Sequence, residues 1–151
     1  MENKIEEYTF YSSKVRPVEV DGQQRVHHTY YLQWMESARF EHFDKLGVSI
    51  YSLMDEGIDL VVSEIKVLYK APLYSNDEYY VTSGIDVVSP IRITVHSKVY
   101  NKSNDQLCCH AEFYGVPVDK DNKLLKRFIK DRLKPAMDEL KNTLGADNFG
   151  E

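Results

Sequence analysis

The chain has 151 residues, 42% of them hydrophobic and 28% charged, which suits one domain with a core of its own and leaves no room for two. A formal net charge of −5 and a pI near 5.5 argue against nucleic acid as a partner. The opening MENKIEEYTF is charged and has no apolar run, so the sequence predicts neither a signal peptide nor a membrane span.

In chain order, residues 9–20 read as a strand, with VRPVEV alternating at its end. From Thr29 to Leu46, the positions Tyr31, Met35, Ala38, His42 and Leu46 recur at helical spacing, Leu32 and Phe43 widen the stripe, and Gly47 follows as a C-cap. Tyr30, Trp34 and Phe40 add bulk on the other flanks, so this helix is expected to be wrapped on most sides. IYSLMDEG reads as a short helix ending at Gly57. The period then changes to two through Ile65–Tyr69, Tyr79–Val87, Ile91–Val99 and Leu107–Phe113. The breaks at residues 71–72, 75–77, 89–90 and 101–105 are too short for parallel crossovers, which predicts an antiparallel meander.

Cys108 and Cys109 are adjacent on a predicted strand and point to opposite faces, so no disulfide joins them and a cytoplasmic location fits. At the C-terminal end, Lys123, Lys126, Arg127, Lys130, Arg132 and Lys134 oppose only Asp131. A solvated amphipathic helix over about residues 123–141 is the plain reading, and a docking surface for a polyanion the sharper one. The expectation is a single α+β domain over 1–151, with a core at about 10–120. One long helix is wrapped in it by a curved antiparallel sheet of about five strands.

The chemistry concentrates where the first strand hands over to the long helix. The leading N–H groups of that helix carry the positive end of its dipole and can hold a developing oxyanion. Asp21 lies just upstream, and its carboxylate can orient water or attack a carbonyl carbon. His28 can donate a hydrogen bond or a proton. Acid, imidazole and oxyanion donors together suit acyl transfer, with hydrolysis the simplest outcome. In the bland reading, Asp21 is a turn residue of DGQQ and the two histidines are surface or capping groups. No metal site is expected, because no further His or carboxylate follows at helical spacing and His42, His96 and His110 are scattered. G-x-S-x-G, P-loop and Rossmann patterns are absent, and no cofactor is expected.

The run from Asp21 through Val26, Tyr31, Leu32, Glu36 and Ala38 to Arg39 resembles the hot-dog-fold acyl-CoA thioesterases of the 4-hydroxybenzoyl-CoA thioesterase type. The likeness continues through Tyr69-x-Ala-Pro and Asp77 to Val118-Asp119. It implies a hot-dog fold, thioester hydrolysis, Asp21 as the catalytic carboxylate, and a backbone N–H at His28 facing the thioester oxygen. It also implies a homodimer or homotetramer acting on acyl-CoA. Two positions depart from the family pattern: Gln24 stands where glycine is usual, with Gly22 able to supply the turn, and Glu19 stands where a second Asp is common. Arg39 falls inside the apolar stripe, so an ion pair with Glu36 is expected; in the sharper alternative Glu36 is the base. Tyr31 and Trp34 are expected beside the acyl group, and Arg92 beside the CoA phosphates.

Overall fold

The computed structural model describes residues 5–145. Strand β1 (Glu7–Lys14) leads through a 3-10 turn (Pro17–Glu19) to the long helix α1 (His28–Lys45) and the short helix α2 (Ile50–Asp55). Strands β2 (Asp59–Tyr69), β3 (Glu78–Ser89), β4 (Arg92–Asn101) and β5 (Gln106–Val118) follow. A π-helical turn (Ile129–Leu133) then runs into α3 (Lys134–Gly145). All pairings are antiparallel, in the order β1-β3-β4-β5-β2. This is the α+β hot-dog arrangement, with α1 packed on the sheet through Tyr31, Trp34, Met35, Ala38, His42 and Phe43.

Three local expectations change. The strand expected over 9–20 starts at Glu7 and stops at Lys14, because Pro17 fixes its own φ and removes a donor, turning the chain into the 3-10 turn. The meander holds only for β3, β4 and β5; β2 pairs with β5 and crosses over to reach β3. The basic helix expected from about 123 becomes helical at Phe128, because Leu124 is held in a bridge to Val118. Two of its cations are already paired, Arg127 with Asp131 at 2.9 Å and Arg132 with both carboxylate oxygens of Glu56 at 2.9 and 3.1 Å.

Both helix stops have a physical cause. Gly47 takes φ +78°; its N–H donates to Asp44 O at 3.0 Å and that of Val48 to Phe43 O at 3.1 Å, the paired bonds of a Schellman motif. Gly57, at φ +77°, closes α2 in the same way. Gly84 serves a different need: a Cβ there would lie 2.7 Å from Glu6 O, so only glycine lets β1 cross β3 so closely.

Strand β2 is an outer strand of the sheet and is exposed along most of its length. Ile65 is 42% exposed, Leu68 58% and Tyr69 48%. Among the described residues, no helix is long and apolar enough to cross a membrane.

Candidate active site

Asp21 sits in a tight loop closed by an antiparallel bridge between Val20 and Val26. The Asp21 N–H donates to Arg25 O at 2.8 Å, and the Gln24 N–H to Asp21 O at 3.0 Å. The side chain joins the same network, its Oδ1 accepting from the N–H of Gln23 at 2.8 Å and of Arg25 at 3.3 Å. Such a loop needs a residue in the left-handed region. Gln24 itself supplies it at φ +69°, while Gly22 stays outside that region. A side chain is therefore held where glycine would be easiest.

The loop is seated from both sides. The Val26 N–H donates to Leu73 O at 2.9 Å, and Arg25 bridges Tyr74. On the other arm the His27 N–H donates to Glu19 O at 2.8 Å. Asp21 and His28 thus belong to one small hairpin, with the Glu19–His27 rung between them.

The start of α1 is divided between the two histidines. His27 is the cap: its Nδ1 accepts from the Thr29 N–H at 3.3 Å and lies 2.8 Å from Thr29 Oγ1, which favours the Nε2–H tautomer. Its carbonyl takes the Tyr30 N–H at 3.0 Å. His28 is the first helical residue, its ring exposed and stacked on His27 at 4.3 Å. Neither cap bond uses the His28 N–H, which remains at the positive end of the helix dipole. Tyr69 closes the far side, with its hydroxyl donating to His28 O at 3.0 Å and its ring edge-on to the His28 imidazole at 6.3 Å.

Two contributors were not assigned roles from sequence. Glu19 is only 3% exposed and carries the seat of the loop: its carboxylate accepts from Arg16 N at 2.8 Å, Arg16 Nη2 at 3.3 Å and Trp34 Nε1 at 2.9 Å. Burial alone would raise this carboxyl, but the Arg16 and Trp34 donors and the Arg16 charge outweigh it and hold Glu19 below the ordinary carboxylate range. Tyr69 is the other. A strand pattern places it on a face but cannot say that its hydroxyl reaches a helix start.

Tyr31 and Trp34, expected beside an acyl group, are core residues of this chain, each 4% exposed. The Trp34 indole stacks on Tyr79 at 3.9 Å and spends its N–H on Glu19. The Tyr31 hydroxyl accepts from Leu73 N–H at 3.3 Å, and burial raises its pKa.

Arg92 lies over the Tyr114 ring at 4.8 Å and 3.6 Å from Glu64. Tyr69, beside His28, pairs with Cys109 on the same strand β5. The strand rise places positions 109 and 114 about 17 Å apart, so Arg92 and Asp21 stand at opposite ends of the sheet. Glu36 is 62% exposed and 3.7 Å from Arg39 Nη2, the expected ion pair. Among the described residues, no group of three or more His, Cys, Asp or Glu could hold a metal ion.

Residues 15–144 match the family model of the thioesterase-like superfamily. The chain belongs to the thioesterase-like superfamily. It is 27% identical over 110 residues to the acyl-acyl carrier protein thioesterase ATL3, chloroplastic, of Arabidopsis thaliana; the match covers 73% of this chain and only 57% of that relative. It is 28% identical over 109 residues to YneP of Bacillus subtilis, named as a candidate acyl-CoA thioesterase, covering 72% of this chain and 78% of YneP. The fold is also that of the 1,4-dihydroxy-2-naphthoyl-CoA thioesterase Slr0204 of Synechocystis, with a TM-score of 0.77 at 18% identity, covering 93% of this chain and 98% of that one.

Proposed function

We propose that the chain hydrolyses an acyl-CoA thioester to the free acid and CoA. The Asp21 carboxylate attacks the thioester carbonyl or deprotonates the water that does. The His28 N–H at the start of α1 receives the developing oxyanion, and its imidazole is placed to assist. The C–S bond then breaks, and the departing thiolate is protonated from solvent; on the nucleophilic route a water then hydrolyses the Asp21–acyl anhydride, releasing the free acid and restoring the carboxylate. The observation that carries this reading is the carboxylate of Asp21, held by two backbone N–H groups in a loop pinned to the first turn of a helix. Glu36, exposed and paired to Arg39, is the second choice of base.

The proposed enzyme is a homodimer or a doubled form of it. An outer strand with exposed Ile65, Leu68 and Tyr69 is an aggregation liability unless covered. Pairing β2 with its copy covers it, and the antiparallel reversal carries the partner's far end toward this chain's helix start. Arg92 would then serve CoA phosphates across the interface, while Tyr31 and Trp34 underlie the acyl groove. A cytoplasmic setting fits the free, buried Cys108 and Cys109.

The name of the Arabidopsis relative supports a second reading, hydrolysis of an acyl carrier protein thioester by the same groups. A non-catalytic module that binds acyl thioesters is the alternative from another class. Thiol release over a panel of acyl-CoA and acyl carrier protein thioesters separates the three. Asp21→Asn should lower turnover at least ~100-fold with unchanged circular dichroism. Near-normal turnover by a folded Asp21→Asn protein would move the chemistry to Glu36, and binding without thiol release would leave only the module.

A further inference from the structure

The peptide that joins His27 to His28 carries the N–H proposed to receive the oxyanion, and the peptides on either side of it are both held. Upstream, the His27 N–H donates to Glu19 O at 2.8 Å. The joining peptide is oriented by its own carbonyl, because His27 O accepts from the Tyr30 N–H at 3.0 Å. In a trans peptide the N–H then points the opposite way, out of the helix end. Downstream, His28 O accepts from the Tyr69 hydroxyl at 3.0 Å. The first two bonds are made by backbone groups that nearly every residue carries. The third comes from one side chain on the last residue of β2, and it can be removed alone.

The fold does not require that bond. As the first residue of α1, His28 already offers its carbonyl to the helix ladder. Tyr69 is 48% exposed, so water can serve its hydroxyl. The ring is placed with equal care, edge-on to His28 at 6.3 Å and to Tyr31 at 5.6 Å, about one helical turn apart. Burial, with Cys109 adding to it, raises the pKa of the Tyr69 hydroxyl above its ordinary value, so the group stays a donor through neutral pH. The chain just beyond Tyr69 reaches the other half of the site. The Leu73 N–H donates to the Tyr31 hydroxyl at 3.3 Å, Leu73 O accepts from the Val26 N–H at 2.9 Å, and Tyr74 bridges Arg25. Residues 69–74 therefore form a strap that touches both the helix offering the N–H and the loop holding Asp21.

We propose that Tyr69 is a positioning residue for thioester hydrolysis: its hydroxyl, acting through His28 O, fixes the His28 N–H where the oxyanion develops and in register with the Asp21 carboxylate. This rests on the thioesterase reading and adds a residue to it. Tyr69 acts through His28 and not on the reacting atoms. Its loss therefore weakens transition-state stabilisation and leaves ground-state binding alone.

The test is Tyr69→Phe, which deletes the hydroxyl and keeps the ring. For an acyl-CoA thioester kcat should fall ~5–10-fold, the scale of one hydrogen bond, with KM within about twofold of wild type. Circular dichroism and the sedimentation coefficient should stay those of the wild type. In the free protein the backbone 15N order parameter of His28 should fall below the value of about 0.85 typical of a rigid helix, while those of residues 34–42 hold. The kcat factor should be the same for thioesters whose leaving thiols differ in acidity. A factor that grows as the leaving thiol becomes more basic would make Tyr69 a proton donor and overturn the positioning role. An unchanged kcat, a loss confined to KM, or an unchanged His28 order parameter overturns it as well. A wild-type protein that hydrolyses no thioester sinks the thioesterase reading and the proposal with it, whereas hydrolysis with unaltered Tyr69→Phe kinetics sinks the proposal alone.

Discussion

Removing the Glu19 carboxylate tests whether this buried group holds the Asp21 loop to α1. In Glu19→Gln the amide oxygen can still accept one N–H, but its NH2 faces a second donor, Arg16 N or Trp34 Nε1. One charge-assisted bond is lost, a cost of about 2 kcal/mol. Glu19→Ala removes the acceptor entirely and orphans the indole N–H of Trp34, which is 4% exposed, so the cost rises to about 4 kcal/mol. For a chain of this size, ~2 kcal/mol corresponds to a fall in Tm on the order of 4–8 °C.

The protein carries its own probe. Trp34 is the single tryptophan, stacked on Tyr79 and bonded to Glu19, so urea unfolding followed by its fluorescence reads the site directly. The pH dependence gives a second check with a fixed sign. The Glu19 pKa is lowered in the folded protein, so its contribution is present above the unfolded value near 4.5 and is lost as pH falls through the folded value. The stability gap between wild type and Glu19→Gln should be constant near neutrality and shrink in acid. A gap that stays constant or widens below pH 4.5 would refute the assignment of Glu19 as an ionised anchor.

Burial pushes the pKa of the His42 imidazole, whose Nδ1 lies 2.9 Å from Ser83 Oγ, down to about 4. Its contribution is complete above the unfolded value near 6.5 and disappears as pH falls through 4; up to about 3 kcal/mol is lost there. His42→Gln should flatten that part of a stability–pH curve, and an unchanged slope would count against it. KM for acyl-CoA should rise with ionic strength while short pantetheine thioesters respond little, because screening weakens phosphate contacts at Arg92 or at the 123–134 segment; equal responses would reject a cationic CoA site. Mixing Asp21→Asn chains with chains carrying a disruptive Arg92 change should restore part of the activity that each lacks, whereas a fully active monomer in sedimentation would rule out shared sites.

What could be read from sequence was local. Gly47 and Gly57 announce helix ends because αL geometry is cheap only for glycine, and both take it. The apolar spacing from Tyr31 to Phe43 marks the buried face of α1 correctly because its period is enforced over several turns. The partner of β2 was not legible. Alternation fixes which face of a strand is buried but not which strand lies beside it, and the β5 pairing spans a long stretch of chain. Pro17 was not read as a break: the alternation of VRPVEV carried the expected strand through it to residue 20, whereas β1 ends at Lys14. For the candidate site, Asp21 and His28 stood out by type and place. Glu19 did not, because nothing in its neighbours says that an indole N–H fifteen residues away will need an acceptor.

In the proposed dimer, the exposed edge and the open helix start are dealt with together. Tyr69 binds the start of α1 through its hydroxyl while its ring remains half in solvent, at the end of the strand that exposes Ile65 and Leu68. A chain could hide these side chains with a helix of its own, but α2 makes only the turn into β2, and the terminal helix is packed elsewhere through Phe128, Ile129, Leu133 and Leu140. Arg92, the cation suited to a phosphate, stands about 17 Å along the sheet from Tyr69. Reversing a second copy against β2 hides the apolar edge and brings the partner's far end toward this helix start. In the proposed dimer, closing the sheet edge and completing the catalytic cleft are therefore one event, and a substitution that opens the edge should abolish activity before it unfolds the chain.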